Sequence, residues 1–263
     1  MVDHRSFKGI TALVTGASAG IGEAFAWELA RRQAELILVS RSEDKLKALG
    51  AVLEEEFGVH THVFASDLSR PGAARDLYGL VQSEGLRVDL LINNAGVGSY
   101  GRFENGPAEK DLAMVTLNVC SLAALTRLFL PAMLAAGKGG VINVASTAGL
   151  QPIPYLSLYA ATKAFVIHFS EALWGETKDS GVRILCLCPG NTETEFHRAA
   201  GLGKRKVFWT AKALDVARYG LKVYSNSNKP TAIYGWINKI LAQGYRIAPR
   251  QLVVKVVERI FHP

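Results

Sequence analysis

The chain has 263 residues, of which 49% are hydrophobic, and it carries a formal net charge of +7. This composition can fill one sizeable core, so we expect a single domain over residues 1–263. It excludes a disulfide framework and a zinc site, because the three cysteines are odd in number, lie in apolar segments and form no C-x-x-C pair.

No membrane-crossing or secretory segment is expected. The N-terminal stretch MVDHRSFKGI lacks the apolar core of a signal peptide. The longest apolar stretch, SLAALTRLFLPAMLAA, is interrupted by Arg127 and Pro131 within fewer residues than a bilayer span needs. The sequence therefore predicts a cytoplasmic protein without an integral membrane segment.

Short apolar or β-branched runs recur along the chain and predict strands. They cover residues 10–15, 35–40, 59–66, 88–93, 140–146, 182–188 and, more weakly, 231–235. Segments with helical periodicity lie between them. Alternating strands and helices indicate parallel strands joined by helical crossovers, which form a doubly wound sheet with helices on both faces. Ligands of such sheets bind beyond the carboxyl ends of the strands.

The motif TGASAGIG follows the first predicted strand and opens a helix. Its glycines, Gly16, Gly20 and Gly22, let the backbone turn tightly and approach a pyrophosphate at the helix N-terminus. Ser18 and Ile21 belong to the same candidate cofactor loop. A glycine-rich turn without a ligand is the alternative, but the position between strand and helix favours a dinucleotide.

The end of the second strand favours NADP(H) over NAD(H). A binder of the non-phosphorylated cofactor usually places a carboxylate there, whereas this chain has Ser40 followed by Arg41. A serine does not repel a 2′-phosphate, and an arginine can hold one by charge-assisted hydrogen bonds. The alternative is that Arg41 is a surface charge at a helix start.

A metal site at His60 and His62 is not expected. The two residues share one face of the third predicted strand, but no carboxylate or third ligand accompanies them in the sequence.

Tyr159 and Lys163 lie four residues apart in a segment without a helix breaker. Side chains at this spacing share one helical face, and a nearby ammonium favours the phenolate form, so the pair can act as a proton donor and acceptor. The alternative is an aromatic side chain covered by the stem of a lysine.

Positive charge is concentrated near the C-terminus, because residues 200–263 contain 12 Lys/Arg and 2 Asp/Glu. Such a region suits nucleic acid, anionic lipid or an acidic carrier protein, or it is a solvated face. The basic residues are spread singly among apolar ones, which favours the solvated face. No nucleic-acid partner is expected.

Four motifs stand in register: TGASAGIG, NNAG at 93–96, a serine 13 residues before the Tyr-x-x-x-Lys motif, and PGNTET at 189–194. In order and spacing they resemble the classical short-chain dehydrogenases/reductases, and GASAGIGEAFA and LVSRSEDKL look like the branch with long-chain ketoacyl and hydroxysteroid reductases. The resemblance implies a Rossmann-type α/β fold with a seven-stranded parallel sheet. It also implies a homodimer or homotetramer, in which we expect helices at 107–136 and 155–178 to contact the partner subunit.

The resemblance also supplies catalytic roles. Ser146 would orient and polarise a substrate carbonyl, Tyr159 would act as acid/base, and Lys163 would bind the ribose and modulate the tyrosine. We place Ser146 at the end of the fifth strand, where it is preferred over its neighbour Thr147 because adjacent strand residues face opposite sides. Asn118 would support a proton-relay water, and a structural hydrogen bond to the backbone is its alternative.

Further cofactor contacts are implied at the ends of the third, fourth and sixth strands. Asp67 looks like the acid that contacts adenine, and an N-cap of the next helix is also open. Thr192 departs from the family's usual apolar residue, which matters little because backbone groups make most of that contact. The other implied positions are Leu68, Asn94, Ala95, Gly96, Pro189, Gly190 and Thr194.

Substrate choice is expected to depend on residues 190–230, a region that the family varies, with the segment at 195–209 as a flap. Candidate lining residues are Leu150, Ile153, Tyr155, Phe196, Phe208 and Trp209. This apolar lining favours an acyl-chain, steroid-like or aromatic ketone, or the corresponding alcohol, over a sugar.

The sequence thus predicts an NADP(H)-dependent oxidoreductase that interconverts a ketone and a secondary alcohol. One alternative, an extended-branch epimerase or dehydratase, has two residues between the first pair of glycines, where this chain has three. The other, a non-catalytic NADPH-binding regulator, would normally have lost Ser146, Tyr159 or Lys163. All three are present.

Overall fold

The computed structural model describes residues 7–201 and 210–262, with every side chain in these ranges except those of His197, Arg198 and Arg246. Seven parallel strands form one sheet, with the bounds Thr11–Thr15 (β1), Glu35–Ser40 (β2), Thr61–Ala65 (β3), Leu90–Asn93 (β4), Gly140–Val144 (β5), Arg183–Cys188 (β6) and Thr231–Ile233 (β9). Two short strands, Thr192–Glu193 (β7) and Ala211–Lys212 (β8), pair separately. All seven predicted strands are confirmed, with ends displaced by at most two residues.

Helices connect the strands, as the alternating pattern predicts. Their bounds are Gly20–Ala30 (α1), Glu43–Phe57 (α2), Ala73–Ser83 (α3), Ala108–Val115 (α4), Leu122–Ala136 (α5), Ser157–Thr177 (α6), Phe196–Ala199 (α7), Ala213–Asn226 (α8), Trp236–Ile247 (α9) and Arg250–Phe261 (α10). A π-helical turn, Thr116–Ser121, joins α4 to α5.

The order of the sheet is β3-β2-β1-β4-β5-β6-β9. The chain moves outward in one direction from β1 to β3 and then returns to add β4 on the other side of β1. This reversal opens a crevice beyond the carboxyl ends of β1 and β4, where doubly wound sheets bind their ligands.

Both faces of the sheet are covered by helices, which confirms the Rossmann-type architecture. Because successive strand residues point to opposite faces, Val14 packs in a cluster with Phe25 of α1, whereas Leu13 packs in a cluster with Phe129 of α5. The strands are buried on both sides and therefore read as continuous apolar runs.

The stretch Ala108–Ala136 is long and apolar enough to cross a membrane by length and composition alone, and it is the one such helix in the described part of the chain. Leu125, Phe129 and Met133 are buried on its sheet-facing side. A core helix of an α/β sheet has the same composition, because one of its faces packs on the strands.

Candidate active site

The loop between β1 and α1 depends on its glycines. Gly16 and Gly20 have φ of +67° and +62°, a region that other residues rarely adopt. A Cβ on Gly22 would lie 2.2 Å from the carbonyl oxygen of Gly16, so no side chain fits there. Ser18 is half-buried in this loop, and Ile21 packs against the core. Among the described residues no side chain caps α1, which leaves its first backbone amides to an anion.

Thr15 ties the end of β4 to this loop. Its Oγ1 accepts hydrogen bonds from the backbone amides of Asn94 at 2.9 Å and Ala95 at 3.0 Å. The Nδ2 of Asn94 donates to the carbonyl oxygen of Thr15 at 2.9 Å. The NNAG motif therefore fixes the geometry of the crevice through side-chain and backbone hydrogen bonds.

The end of β2 lies beside Asp67. The Oγ of Ser40 accepts from the backbone amide of Ser42 at 3.1 Å, and Arg41 is exposed. A hydrogen bond from the Ser69 hydroxyl, 2.6 Å away, holds the pKa of Asp67 below its usual value, and the charge of Arg41 adds to this shift. The helix after Asp67 begins only at Ala73, so the alternative of an N-cap is wrong.

Leu68 contributes its backbone rather than an exposed side chain. Its side chain is buried in the core, and its carbonyl oxygen accepts a hydrogen bond from the Ser121 hydroxyl at 2.6 Å. This bond attaches the segment after β3 to the π-helical turn.

Ser146 lies beyond the end of β5, which stops at Val144, so the prediction that it ends the strand is wrong by two residues. Its backbone is extended, and its Oγ accepts a hydrogen bond from the Ala148 amide at 3.1 Å. A 3₁₀ turn at Thr147–Leu150 begins here. The turn therefore determines the direction of the Ser146 hydroxyl, and strand alternation does not.

Tyr159 is buried in α6, near the hydroxyl of Ser146. Burial raises the pKa of the Tyr159 phenol to about 12, and the Ser146 hydroxyl opposes this rise. The four-residue spacing predicted that Lys163 would lower this pKa. In this structure the Ser146 side chain has that effect.

Lys163 shares the buried face of α6 with Tyr159, as the four-residue spacing predicts. Its Nζ lies 5.9 Å from the centroid of the Tyr159 ring and donates a hydrogen bond to the carbonyl oxygen of Val144 at 2.8 Å. Burial lowers the pKa of the Lys163 ammonium to about 8. The lysine thus lies beside the phenol with its charge directed at the end of β5.

Asn118 lies in the π-helical turn. Its Oδ1 accepts from the Val97 amide at 3.0 Å, and its Nδ2 donates to the Val97 carbonyl oxygen at 2.9 Å and to Thr162 Oγ1 at 3.1 Å. These contacts agree with the alternative in which Asn118 makes structural hydrogen bonds to the backbone. The π turn, a feature that is frequent at functional sites, was not predicted from the sequence.

Gly96 lets the backbone after β4 pass close to two candidate catalytic residues. A Cβ at this position would lie 3.2 Å from Oδ1 of Asn118 and 3.3 Å from Nζ of Lys163. Both contacts are tighter than most side chains make, so a glycine keeps Asn118 and Lys163 close to the strand end.

The segment after β6 returns to the glycine loop. The carbonyl oxygen of Pro189 accepts from the Thr147 amide at 2.9 Å, and Thr192 is buried with its Oγ1 donating to the Gly190 carbonyl at 3.1 Å. A Cβ on Gly20 would lie 2.8 Å from Cγ2 of Thr194. The structure therefore brings the segment with Thr194 onto the candidate phosphate loop.

These residues fit a nicotinamide dinucleotide. The glycine cradle at 16–22, which a Cβ would fill, suits a pyrophosphate. Arg41 directly follows β2, and Lys163 reaches the end of β5 through its hydrogen bond to Val144.

An apolar cluster surrounds Tyr159. Phe196 packs against it with ring centroids 5.2 Å apart, and a Cβ on Gly98 would lie 2.6 Å from the Phe196 ring. Met114 and Ile153 are buried in the same cluster. Of the predicted lining residues, Ile153 and Phe196 thus lie beside Tyr159.

The other predicted lining residues have different positions. Leu150 packs in a separate cluster with Val166 of α6. Tyr155 adopts a left-handed φ of +66°, and its ring contacts Tyr100 at 6.4 Å between centroids. Phe208 and Trp209 lie outside the described residues.

Helix α10, which was not predicted from the sequence, packs against this cluster. Val257 is buried within it, with Val253 and Phe261 packed alongside. The Tyr100 hydroxyl donates to the Phe261 carbonyl oxygen at 2.6 Å. The spacing of the three apolar residues by four was the available signal, but it lay in the region interpreted as a solvated face.

His62 lies 3.5 Å from Oε2 of Glu84, so a carboxylate accompanies it, contrary to the sequence analysis. In the ranges that the structure describes, no group of three or more His, Cys, Asp or Glu side chains is placed to hold a metal ion. The three cysteines are free thiols.

The sequence model of the short chain dehydrogenase family matches residues 10–204. This chain belongs to that family. The match begins just before β1 and includes the glycine loop, the NNAG motif, Ser146 and the Tyr159–Lys163 pair. The chain is thus a member of an oxidoreductase family whose enzymes act on CH–OH groups.

Curated relatives of this short-chain dehydrogenase place it near the ketoacyl reductase branch. It is 35% identical over 240 residues to a very-long-chain 3-oxoacyl-CoA reductase of Anas platyrhynchos, covering 89% of this chain and 76% of that protein. The very-long-chain 3-oxoacyl-CoA reductase-B of Danio rerio is 36% identical over 241 residues, with the same coverage of both chains.

Solved structures share the whole fold. A structure described for 7beta-hydroxysteroid dehydrogenase stereoselectivity has a TM-score of 0.86 at 25% identity and covers 97% of this chain and 99% of its own. A short-chain dehydrogenase from Sphingobium yanoikuyae in complex with NADPH has a TM-score of 0.82 at 31% identity, covering 90% and 93%. An L-sorbose reductase from Gluconobacter frateurii, complexed with NADPH and L-sorbose, has a TM-score of 0.77 at 28% identity, covering 88% and 96%.

Proposed function

We propose that this chain is an NADP(H)-dependent oxidoreductase that interconverts a ketone and a secondary alcohol on a largely apolar substrate. The observation that carries this proposal is the Ser146 hydroxyl near the buried Tyr159 phenol, whose ring packs in an apolar cluster. A pair of hydroxyls in an apolar site can bind and protonate a carbonyl oxygen.

Tyr159 is the proposed acid/base. In reduction the Ser146 hydroxyl donates a hydrogen bond to the substrate carbonyl oxygen, and the Tyr159 hydroxyl gives its proton to that oxygen as the C–H bond forms. Bound NADPH would supply the hydride and, once oxidised, a positive charge that favours the phenolate. In the reverse direction the Tyr159 phenolate accepts the alcohol proton.

Lys163 and Asn118 have different proposed roles. Lys163 would hold the cofactor ribose, and it supplies a cation beside Tyr159. Asn118 is a positioning residue, because its amide is already bound to the Val97 backbone and to Thr162. It keeps α6 against the strand end and orients any water that relays protons to the site.

The preference for NADP(H) rests on Arg41 and Ser40. Arg41 is exposed at the carboxyl end of β2, and its charge reaches Asp67, the residue proposed to contact adenine. The Sphingobium yanoikuyae and Gluconobacter frateurii proteins, each described in complex with NADPH, support this choice.

The proposed substrate is an acyl-chain, steroid-like or aromatic carbonyl compound. Met114, Ile153 and Phe196 pack in one apolar cluster with Tyr159. The similarity to very-long-chain 3-oxoacyl-CoA reductases and to a structure described for 7beta-hydroxysteroid dehydrogenase supports an apolar substrate over the sugar of the L-sorbose reductase. Residues 190–230 are the proposed substrate region of a single domain spanning 1–263.

We also propose a homodimer or homotetramer. The surface of α6 carries Phe165 and Phe169, stacked with centroids 5.5 Å apart, and Leu112 and Leu134 are exposed on the helices at 108–136. Light scattering at micromolar concentration tests this proposal, and a monomer would refute it.

A panel of ketones and alcohols, assayed with NADP(H) and NAD(H), tests the reaction. We expect turnover of long-chain 3-oxoacyl, steroid or aryl ketones with NADPH and little turnover of ketoses. Tyr159→Phe should abolish turnover while NADPH still binds, because it removes only the proton donor. More than a few per cent of wild-type activity in this variant would refute the acid/base role, and NADPH binding without any turnover by the wild type would favour a regulator.

A further inference from the structure

Helix α9 turns its apolar face away from the protein. Trp236, Ile240 and Ile247, spaced by four and seven residues, share one helical face, and they are exposed to 71%, 61% and 86%. The opposite side carries Ala242, which is buried, and Asn238, which is half-buried. A helix on the surface of a globular protein has the reverse arrangement.

Helix α10 has two apolar stripes, each repeating every four residues. The inner stripe consists of Val253, Val257 and Phe261 and packs in the apolar cluster that includes Tyr159. The outer stripe is exposed and consists of Leu252, Val256 and Ile260. Only Ala248 and Pro249 separate α10 from α9, so the two helices with exposed apolar side chains are consecutive along the chain.

Basic residues accompany these apolar faces. On α10, Lys255 and Arg259 are exposed next to the outer stripe, and Lys239 and Arg250 are exposed on α9 and at the start of α10. Glu258 is the only acidic residue from 236 to 262. We call the exposed apolar and basic residues of α9 and α10 the C-terminal surface.

We propose that the C-terminal surface binds the surface of an anionic lipid bilayer. Large apolar side chains with lysines and arginines beside them are the composition of helices that lie in the membrane interface. Trp236 suits the level of the lipid headgroups, where amphipathic rings concentrate. The apolar residues enter the headgroup and acyl boundary, and the basic residues pair with lipid phosphates.

A second copy of the chain fits this surface less well. A two-fold interface would place the same patch on both sides, so that lysines and arginines would meet lysines and arginines. An anionic bilayer instead neutralises these charges. The proposal does not depend on the reaction of the enzyme.

The position of α10 links this surface to the candidate active site. Its inner stripe packs in the same apolar cluster as Tyr159, while its outer stripe would contact lipid. Together with the proposed function, this arrangement would let an apolar substrate dissolved in the bilayer reach the site beneath α10. The protein would then be a peripheral membrane protein and not one that diffuses freely in the cytoplasm.

Flotation of the full chain with lipid vesicles tests the proposal. We expect binding to vesicles in which about a third of the lipid is phosphatidylglycerol, much weaker binding to pure phosphatidylcholine, and weakening by high salt, which screens the charges. Failure to bind the anionic vesicles at low salt would overturn the proposal, and it would leave the proposed reaction untouched because that is assayed without lipid.

Paired variants locate the binding surface. Neutralising two basic residues with Lys255→Gln/Arg259→Gln should weaken binding about 25-fold, at roughly fivefold for each charge. Ile240→Ser/Ile247→Ser should weaken it at least about tenfold, because the buried apolar area is lost. The matched controls, Lys138→Gln/Lys178→Gln and Val52→Ser/Leu80→Ser, change exposed residues elsewhere and should bind like the wild type. Equal losses in the controls would refute this location.

Brominated lipids provide a readout that separates the bilayer from a protein partner. Bromine in the acyl chains should quench the fluorescence of the wild type, and the quenching should be lost in Trp236→Phe and kept in Trp174→Phe. Quenching that survives Trp236→Phe would overturn the proposal. A loss of oligomer mass in Ile240→Ser/Ile247→Ser, without vesicle binding by the wild type, would assign the surface to a second copy.

Discussion

The Nζ of Lys163 donates a hydrogen bond to the carbonyl oxygen of Val144 at 2.8 Å and carries its charge into a buried site at the end of β5. Burial penalises the ammonium and lowers its pKa to about 8. The candidate catalytic lysine is therefore held at a cost to the stability of the fold, which is common for functional residues.

Lys163→Met should stabilise the protein while it weakens NADPH binding. The pKa of Lys163 is lower in the folded chain than in the unfolded one, so the penalty is complete below pH 8 and disappears as the pH rises toward 10.5. We expect a gain of roughly 1–3 kcal/mol at pH 7, after the loss of the bond to Val144, and a smaller gain above pH 8. Urea unfolding across this pH range measures the gain, and fluorescence titration measures NADPH binding. A variant less stable than the wild type at pH 7 would contradict the prediction.

Ser146→Ala should shift the pH profile of alcohol oxidation to higher pH. Oxidation needs the Tyr159 phenolate, and the Ser146 hydroxyl opposes the rise of the Tyr159 pKa to about 12. Its removal raises this pKa further, so kcat/KM should begin to increase at a higher pH than in the wild type. Thr147→Ala removes the neighbouring hydroxyl and is the control. A pH profile that is displaced in Thr147→Ala and unchanged in Ser146→Ala would mean that Thr147, and not Ser146, affects the pKa of Tyr159.

Ser40→Asp/Arg41→Ser should change the cofactor preference. One charge-assisted pair with a 2′-phosphate is worth about 1.5–3 kcal/mol, so NADPH should weaken about ten- to a hundredfold while NADH gains from the new carboxylate. Measurement of kcat/KM for both cofactors tests this shift. Lys47→Ser, which removes a basic residue paired with Glu43, is the control. A change in the ratio of less than about threefold would mean that Arg41 is only a surface charge.

Glu28→Gln should destabilise the contact between α1 and α8. The Glu28 carboxylate is buried and accepts hydrogen bonds from Arg31 at 2.9 Å and from Arg218 of α8 at 2.7 Å. Losing these charge-assisted bonds should cost about 1–3 kcal/mol, which lowers Tm by roughly 2–4 °C for each kcal/mol. Glu43→Gln removes an exposed pair and should cost less than about 1 kcal/mol.

The cost of Glu28→Gln should also depend on pH. Burial alone raises the pKa of Glu28, but the bonds and charges of Arg31 and Arg218 hold it below its ordinary value of 4.5. The carboxylate therefore stabilises the fold above that value and loses its contribution as the pH falls through the folded-state pKa. We expect the difference in Tm between wild type and variant to shrink below pH 4.5. A difference that grows on acidification would be inconsistent with this sign.

The sequence by itself determined the seven strands of the main sheet and their alternation with helices. The seven strand runs are dominated by apolar residues because parallel strands are buried on both faces, and helical segments separate them, so the doubly wound sheet followed from local pattern. The sequence also predicted the roles of Gly16 and Gly20, because a tight turn needs glycine. It predicted that Tyr159 and Lys163 lie together, because residues four apart share one helical face.

Only the tertiary structure decided what surrounds those residues. Tyr100 and Phe261, 161 residues apart, meet in one hydrogen bond, and no local pattern specifies such a contact. The pKa shifts of Tyr159 and Lys163 result from burial by distant segments, and the direction of Ser146 results from a turn after a strand that ends early. The amphipathic pattern of α9 and α10 was present in the sequence, but which face each helix turns toward solvent depends on packing against the rest of the chain.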